Sequence, residues 1–182
     1  LFNKEGYVYL KTDISNQFLR GKEAYNFLKR RIYVKTLSKC NLVTAESRAL
    51  SYALTEYGNR EVKYLPNGFL VREAPELSKK ENIILTVGRL GTVQKNTELL
   101  LDAFVKADLK GWKLRLAGSV TDEFKNRLER TVESNPELAE RIEIIGFVSD
   151  SDRLAKLYAE AKIFVLPSRW ESFGLVILEA LA

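Results

Sequence analysis

Residues 167–182 read PSRWESFGLVILEALA and directly follow the apolar run IFVL at 163–166. The apolar run has the composition of a buried strand, which the Pro-Ser pair ends. Gly174 then opens a second apolar run whose one polar side chain is Glu179, and this pattern predicts a helix buried on all sides. With Glu171 upstream, two carboxylates are placed at the carboxyl end of a strand, around a helix N-terminus. Anionic and sugar ligands collect at such a place.

The spacing and the neighbours of the two glutamates resemble a family signature. Seven residues separate Glu171 from Glu179, with Pro-Ser before the first glutamate and Ser-Phe-Gly after it. This resembles retaining glycosyltransferases with two Rossmann-like domains, the GT-B architecture, and in particular their group 1 or family 4 branch. The resemblance covers 83–182 well and 41–69 moderately. The alternative is an ordinary strand–helix turn with a surface glutamate and a C-terminal salt bridge.

A second motif, GRLGTVQKN at 88–96, follows a strand predicted over 83–87. Its glycines allow the backbone to approach a ligand closely, and Asn96 is positioned to cap the next helix. Arg89 and Lys95 add two fixed cations, a combination that suits a diphosphate. The motif resembles the Gly-Arg-Leu and Lys-Asn of the same family, in which the arginine and lysine hold the diphosphate of the donor. The alternative is a loop with solvated cations.

The resemblance implies a set of catalytic and donor-binding residues. In similar enzymes one glutamate faces the donor sugar and the other meets the ribose, while backbone after the second and third strands surrounds the nucleobase. For Gly118 and Gly146 the alternative is a plain turn glycine. The implied catalytic residues are Glu171, Arg89 and Lys95. The implied donor-binding residues are Gly88, Arg89, Lys95, Gly118, Val148, Glu171, Phe173, Gly174, Leu175, Val176 and Glu179.

Alternating strand and helix patterns predict an α/β fold with a Rossmann-like, doubly wound parallel sheet. Strands are predicted over 83–87, 112–117, 142–145 and 163–166, and helices over 96–107, 121–134 and 151–161. The usual strand order is 3-2-1-4, in which the first and fourth strands flank the switch point where ligands bind.

Shorter strands predicted over 7–10, 41–44 and 62–65 indicate a partial second Rossmann-like domain. Ser47 is positioned to cap a helix over 48–57 that Gly58 ends. The predicted domains are 1–68, the C-terminal portion of an acceptor-side domain; 69–82, a linker; and 83–182, a truncated donor-binding domain. The chain contains no Met and stops inside a helical pattern. We therefore expect a fragment of a longer protein that is inactive alone.

The distribution of charge and the cysteine content limit the surroundings and partners predicted for the protein. Of the net charge of +5, residues 1–68 carry +6 (12 basic, 6 acidic) and 69–182 carry −1 (17 basic, 18 acidic). Basic residues gather on a helix predicted over 22–39, which is typical of contact with anionic membranes, or alternatively of a solvated face. The single cysteine, Cys40, is compatible with a reducing cytosol. The alternative interpretation is a small buried hydrophobic residue. There is no histidine, which removes histidine-based triads and zinc sites.

The predicted function is transfer of a hexose-type sugar, with retention, from a nucleotide-diphosphate sugar to a glycan or lipid-linked acceptor. Arg89, Lys95 and helix N-termini are predicted to stabilise the charge on the departing diphosphate. No metal or other cofactor is expected, because no cluster of residues in the sequence suggests one. We expect a role in cell-surface polysaccharide biosynthesis, in the cytoplasm or peripherally on the inner face of the membrane, with no nucleic acid partner. The alternatives are a sugar-nucleotide epimerase or phosphorylase of the same architecture, and a non-catalytic scaffold that binds nucleotide sugars.

Overall fold

The computed structural model describes residues 6–12, 27–69 and 80–182, and the side chains of 27–30 lie outside the description. The chain divides into two compact units. The first comprises 1–68 with 171–173, and the second comprises 69–170 with 174–182. Most of the predicted linker, 70–79, and the start of the predicted basic helix, 22–26, lie outside the described residues.

The first unit contains a parallel sheet with strand order β1-β2-β3. Its elements are β1 (Tyr9–Thr12), α1 (Phe27–Ser38), β2 (Leu42–Ala45), α2 (Arg48–Gly58) and β3 (Lys63–Tyr64). Val43 and Ala45 are two residues apart on β2 and therefore face the same side of the sheet. There they form a buried cluster with Leu37 of α1 and Leu54 of α2. The two helices thus share one core with the central strand.

The start of α2 agrees with the prediction, whereas its end differs from it. Ser47 caps the helix as predicted, because its Oγ accepts a hydrogen bond from the N–H of Leu50 at 3.2 Å. The prediction that Gly58 ends the helix is wrong by one residue. Gly58 is still helical, and Asn59 adopts the left-handed conformation (φ 46°) that terminates it. Cys40 is buried, which confirms its role as a small hydrophobe.

The second unit is built on a four-stranded parallel sheet. Its elements are β4 (Glu81–Val87), α3 (Thr97–Ala107), β5 (Lys113–Ala117), α4 (Asp122–Ser134), a 3₁₀ turn (Pro136–Leu138), β6 (Ile142–Gly146), α5 (Ser151–Glu160), β7 (Ala161–Phe164) and α6 (Leu175–Leu181). The strands pair in the order β6-β5-β4-β7. This is the predicted 3-2-1-4 order, so the predicted fold class is confirmed.

Helices cover both faces of this sheet. Since side chains alternate along a strand, successive residues of β4 enter different clusters. Ile84 of β4 belongs to a cluster that includes Leu101 of α3 and Phe124 of α4. Its neighbours Ile83 and Leu85 belong to another cluster, which includes residues of α5. A continuous apolar run such as that of β4 is typical of a parallel strand with both faces buried.

Helix α6 is more exposed than its sequence predicted. Leu175, Ile177 and Leu181 expose 40, 42 and 78 % of their surface, whereas Ala180 packs against the cluster beneath α5. The prediction of a helix buried on all sides is therefore wrong for the described residues. The apolar pattern calls for packing on several sides, and among the described residues α5 is the principal helix packed against α6.

Arg115 of β5 joins β6 to the end of α5. Its Nε donates to Glu143 at 2.9 Å and its guanidinium donates to Glu160 at 2.6 Å, while the Nζ of Lys113 also donates to Glu143, at 2.8 Å. The hydrogen bond from Lys113, together with the one from Arg115, holds the pKa of Glu143 below its usual value, although partial burial opposes this.

We expect Glu143→Gln to lower the free energy of unfolding by about 1 kcal/mol near neutral pH. A carboxyl group whose pKa is lowered on folding stabilises the folded state above its unfolded-state pKa. That contribution is lost as the pH falls through the folded-state pKa. The difference from wild type should therefore shrink below about pH 4. Urea unfolding at neutral and acid pH measures it, and a difference independent of pH would contradict an ionic origin.

Candidate functional site

Glycines stand at the carboxyl ends of three neighbouring strands in the second unit. Gly88 follows β4, Gly118 follows β5, and Gly146 is the last residue of β6. The N–H of Gly88 donates to the carbonyl of Ala117 at 2.9 Å, and that of Gly118 donates to the carbonyl of Gly146 at 2.8 Å. These bonds continue the sheet into the loops, so the backbone there is fixed.

The backbone at Gly118 passes so close to Gly88 that no side chain fits between them. A Cβ built on Gly118 would lie 1.7 Å from the carbonyl oxygen of Gly88, and the φ of Gly118 is 138°. Gly91 is similarly enclosed, since a Cβ there would lie 2.4 Å from the Cβ of Phe124. Both glycines therefore have a packing role at this edge of the sheet. Donor binding by Gly88 and Gly118 stays a prediction.

The two predicted cations lie on the loop at the carboxyl end of β4. The side chain of Lys95 extends over Gly88, because a Cβ built on Gly88 would lie 3.3 Å from Cε of Lys95. Arg89 is exposed, and its guanidinium donates to Oε1 of Gln94 at 2.7 Å. The loop thus places positive charge at the edge of the sheet where parallel α/β folds bind ligands.

Asn96 does not act as the side-chain cap that the sequence predicted. It precedes α3 with a left-handed backbone (φ 51°), and its side chain makes no capping hydrogen bond. Its Nδ2 instead donates to the carbonyl of Pro167 at 3.3 Å. The prediction fails because a side-chain cap typically needs an extended backbone at the cap residue, whereas Asn96 is left-handed and its amide group is directed to the loop after β7. The hydroxyl of Thr97 accepts a hydrogen bond from the N–H of Gly91 at 3.3 Å.

Three hydrogen bonds, the loop clasp, join the loop at 88–96 to the loop at 167–170. Besides the bond from Asn96, the N–H of Arg169 donates to the carbonyl of Gln94 at 2.8 Å. The Nε2 of Gln94 donates to the carbonyl of Trp170 at 3.2 Å. The two loops that follow the neighbouring strands β4 and β7 are therefore held together.

Ser168 was predicted only to help end a strand, but its side chain is distinctive in the structure. Its Oγ is buried and has no hydrogen-bond partner among the described residues. Such an unpaired hydroxyl is uncommon in a folded protein, because burying a polar group without a partner costs free energy. Its sequence context, a serine beside a proline, gave no signal of this environment.

Glu179 has a partner that the sequence did not indicate. The hydroxyl of Tyr158, on α5, donates to its Oε2 at 2.9 Å. Burial, followed by the hydrogen bond to this carboxylate and its charge, raises the pKa of Tyr158 well above its usual value, so that the tyrosine stays a neutral donor. The two residues lie on different helices, and no local pattern connects them.

The other predicted site residues are placed as follows. Gly174 precedes α6 with a left-handed backbone (φ 78°), and α6 begins with Leu175 and Val176, which confirms that Gly174 opens the helix. Glu171 and Phe173 are half-buried, and 171–173 group with the first compact unit. Val148 packs against the cluster beneath α5. The roles of all these residues in donor binding stay predictions.

A polar cluster also lies at the ends of strands in the first unit. Glu46, which follows β2, is 2 % exposed. Its Oε2 accepts a hydrogen bond from Nδ2 of Asn67 at 2.7 Å, and the Nζ of Lys11 donates to Oδ1 of Asn67. Its Oε1 is buried without a hydrogen-bond partner among the described residues. The sequence had predicted Asn67 only as part of a turn.

Within residues 6–12, 27–69 and 80–182, no group of three or more Asp, Glu, Cys or His side chains is arranged to hold a metal ion. Nor does any helix there combine the length and the apolar character needed to cross a membrane.

Comparison with known proteins gives consistent similarities. The profile of the family Glycosyl transferases group 1 matches residues 70–182. The chain is 30% identical over 168 residues to an uncharacterized glycosyltransferase of Methanocaldococcus jannaschii, covering 82% of this chain and 42% of that protein. It is 35% identical over 103 residues to the amylovoran biosynthesis glycosyltransferase AmsD of Erwinia amylovora, covering 57% and 27% respectively. The chain thus spans less than half the length of these relatives.

The fold also matches a solved structure. Anabaena HepE, crystallised with UDP and glucose, superposes with a TM-score of 0.72 at 22% identity, covering 96% of this chain and 50% of that chain. At this level of identity the match supports the fold alone. It extends over nearly the whole chain, and so it agrees with the α/β architecture of both units.

Proposed function

The chain belongs to the group 1 family of glycosyl transferases, and on that premise we propose that the protein transfers a sugar from a nucleotide-diphosphate sugar to an acceptor. The observation that carries the proposal is the loop at 88–96. It places Lys95 over Gly88 at the carboxyl end of β4, and the loop clasp holds it against the loop after β7. A fixed, positively charged loop of this kind suits a diphosphate.

The predicted residues contact different parts of the donor in this proposal. Arg89 and Lys95 bind the diphosphate and stabilise the charge that develops on it as the sugar leaves. Glu171 accepts hydrogen bonds from the hydroxyls of the donor sugar, and Glu179 accepts them from the ribose. The backbone of Phe173, Gly174, Leu175 and Val176 receives the phosphate, and that around Gly118 and Val148 surrounds the base.

The finer parts of the proposal concern the donor, the acceptor and the stereochemistry. We propose a hexose-type donor, because HepE was crystallised with UDP and glucose. We also propose that the product is a cell-surface polysaccharide; the relative AmsD is a glycosyltransferase of amylovoran biosynthesis. Residues 1–68 belong to the acceptor side, 69–82 link the two domains, and 83–182 bind the donor. Transfer with retention, without a metal, follows from the resemblance of the Glu171 and Glu179 motif.

A ligand panel on the natural-length protein tests the proposal. Thermal unfolding is followed with UDP, GDP and ADP sugars, and at least one should raise the Tm by binding the folded state. Products are then analysed with glycan and lipid-linked acceptors. A new glycoside supports transfer, whereas turnover without a glycoside favours an epimerase or phosphorylase. Binding without turnover favours the scaffold, and no binding at all contradicts the proposal.

We also propose that the basic helix contacts the inner face of the membrane. In its described part, Arg31 and Lys35 are exposed, and Ile32 exposes 59% of its surface between them. Exposed cations interleaved with an apolar side chain favour binding to anionic lipid headgroups. The opposite side of the helix is anchored in the protein through Leu37, which is fully buried.

Replacing Arg30, Arg31 and Lys35 with glutamine should therefore weaken binding to phosphatidylserine vesicles roughly 100-fold at low salt, as measured by co-sedimentation, because each cation contributes about 1 kcal/mol. The effect should fade as salt screens the charges. The matched control replaces three exposed lysines of the second unit with glutamine: Lys106, Lys125 and Lys156. Equal losses in both triple variants would show a general charge effect and contradict a specific contact through α1.

A further inference from the structure

The carboxylate of Glu179 is held from one side only. Its Oε2 accepts the hydrogen bond from Tyr158, and its Oε1 accepts none from the described residues. A carboxylate offers about four lone-pair positions. Several positions therefore remain for a ligand, while the bond from Tyr158 restricts the rotamers that Glu179 can adopt.

Tyr158 is itself a fixed donor. It is 8 % exposed, and its ring packs edge-on against Phe164 with centroids 5.6 Å apart. The Nζ of Lys80 donates to its carbonyl at 3.3 Å, and Arg115 holds Glu160, two residues further along the chain, at 2.6 Å. These contacts anchor the end of α5 to the sheet, so the hydroxyl has a defined position before any ligand binds.

We propose that Tyr158 is a positioning residue for Glu179, holding its carboxylate ready to accept hydrogen bonds from the two ribose hydroxyls of the donor nucleotide. This inference rests on the proposed function. Its physical basis is preorganisation, because a side chain ordered before binding loses less conformational entropy when the ligand arrives. Tyr158 acts through Glu179 and has no contact with the ligand in this proposal.

Tyr158→Phe in the natural-length protein tests the proposal, since it removes the hydroxyl and keeps the ring. UDP, GDP and ADP are first screened by isothermal titration, and the tightest binder is then used with its 2′,3′-dideoxy analogue. We expect the variant to bind the natural nucleotide about tenfold more weakly than wild type, equivalent to about 1.4 kcal/mol. Its affinity for the dideoxy analogue should equal that of wild type. Tyr52→Phe, which removes a hydroxyl from a residue that is 70% exposed, is the matched control.

Combining Tyr158→Phe with Glu179→Ala distinguishes an effect that acts through Glu179 from a general packing effect. In the presence of Glu179→Ala, Tyr158→Phe should have no further effect on the Kd of the natural nucleotide. An unchanged Kd in Tyr158→Phe, equal losses for both ligands, or a loss that persists with Glu179→Ala would each overturn the proposal. If wild type binds a nucleotide and Glu179→Ala binds it equally well, the ribose role of Glu179 fails while the transferase proposal stands. If wild type binds no nucleotide, both fall.

Discussion

Gly118→Ala is expected to lower the free energy of unfolding of the second unit by on the order of 3–5 kcal/mol. The added Cβ would lie 1.7 Å from the carbonyl oxygen of Gly88 and 2.7 Å from its carbonyl carbon. Both atoms belong to backbone and cannot rotate away. The N–H of Gly88 is hydrogen-bonded to Ala117, and that of Gly118 to Gly146. Relief of the clash therefore requires breaking the sheet edge.

Gly111→Ala is the matched control. Gly111 also has a positive φ, of 76°, but a Cβ there meets no atom within 4 Å. Only the left-handed backbone penalises the alanine, at about 1–2 kcal/mol. Trp112 and Trp170 both lie in the second unit, so urea unfolding followed by their fluorescence reports on it. Equal costs for the two variants would contradict the close approach of Gly118 to Gly88.

Lys95→Ala is expected to weaken binding of the nucleoside diphosphate about 10- to 100-fold, since a hydrogen bond to a charged group contributes roughly 1.5–3 kcal/mol. Arg89→Ala should have an effect of the same order. The corresponding nucleoside has no phosphate for these cations to contact, so its affinity should change little. The position of Lys95 over Gly88 makes the first variant the sharper of the two tests.

Isothermal titration of nucleoside and nucleoside diphosphate against each variant measures this difference. The control is Lys106→Ala, which removes an exposed cation from the last turn of α3, a part of the second unit that the proposal leaves out of the site. The loss should also diminish at high salt, because the interaction is electrostatic. Equal losses for nucleoside and diphosphate would refute the assignment of the loop to the phosphates.

Local sequence rules predicted the sheet because its strands are separated, apolar and regularly spaced. The run at 83–87 is part of β4, and its central place in the sheet follows from the usual order of doubly wound folds. Ser47 was predicted equally well, since a helix cap depends on residues within one turn. The last strand, predicted over 163–166, is found at Ala161–Phe164, although the N–H of Val165 still bonds to Leu85.

The remaining features depend on contacts between residues far apart in the chain. Asn96 had a strong local preference for capping, yet its Nδ2 donates a hydrogen bond to the carbonyl of Pro167, 71 residues away. Tyr158 and Glu179 meet across two helices, and neither residue type predicts the other. The clash that makes Gly118 sensitive arises from Gly88, which follows a neighbouring strand. Sequence spacing predicts that such segments are neighbours but does not predict which atoms touch.

The loop clasp implies an uneven tolerance to sequence change. On the side of 167–170, the three hydrogen bonds use only main-chain atoms, of Pro167, Arg169 and Trp170. On the other side, two of the three depend on the amide side chains of Gln94 and Asn96. The exposed side chain of Arg169 is therefore open to substitution as long as the path of the chain is kept. Positions 94 and 96 are the ones to leave untouched when this region is engineered.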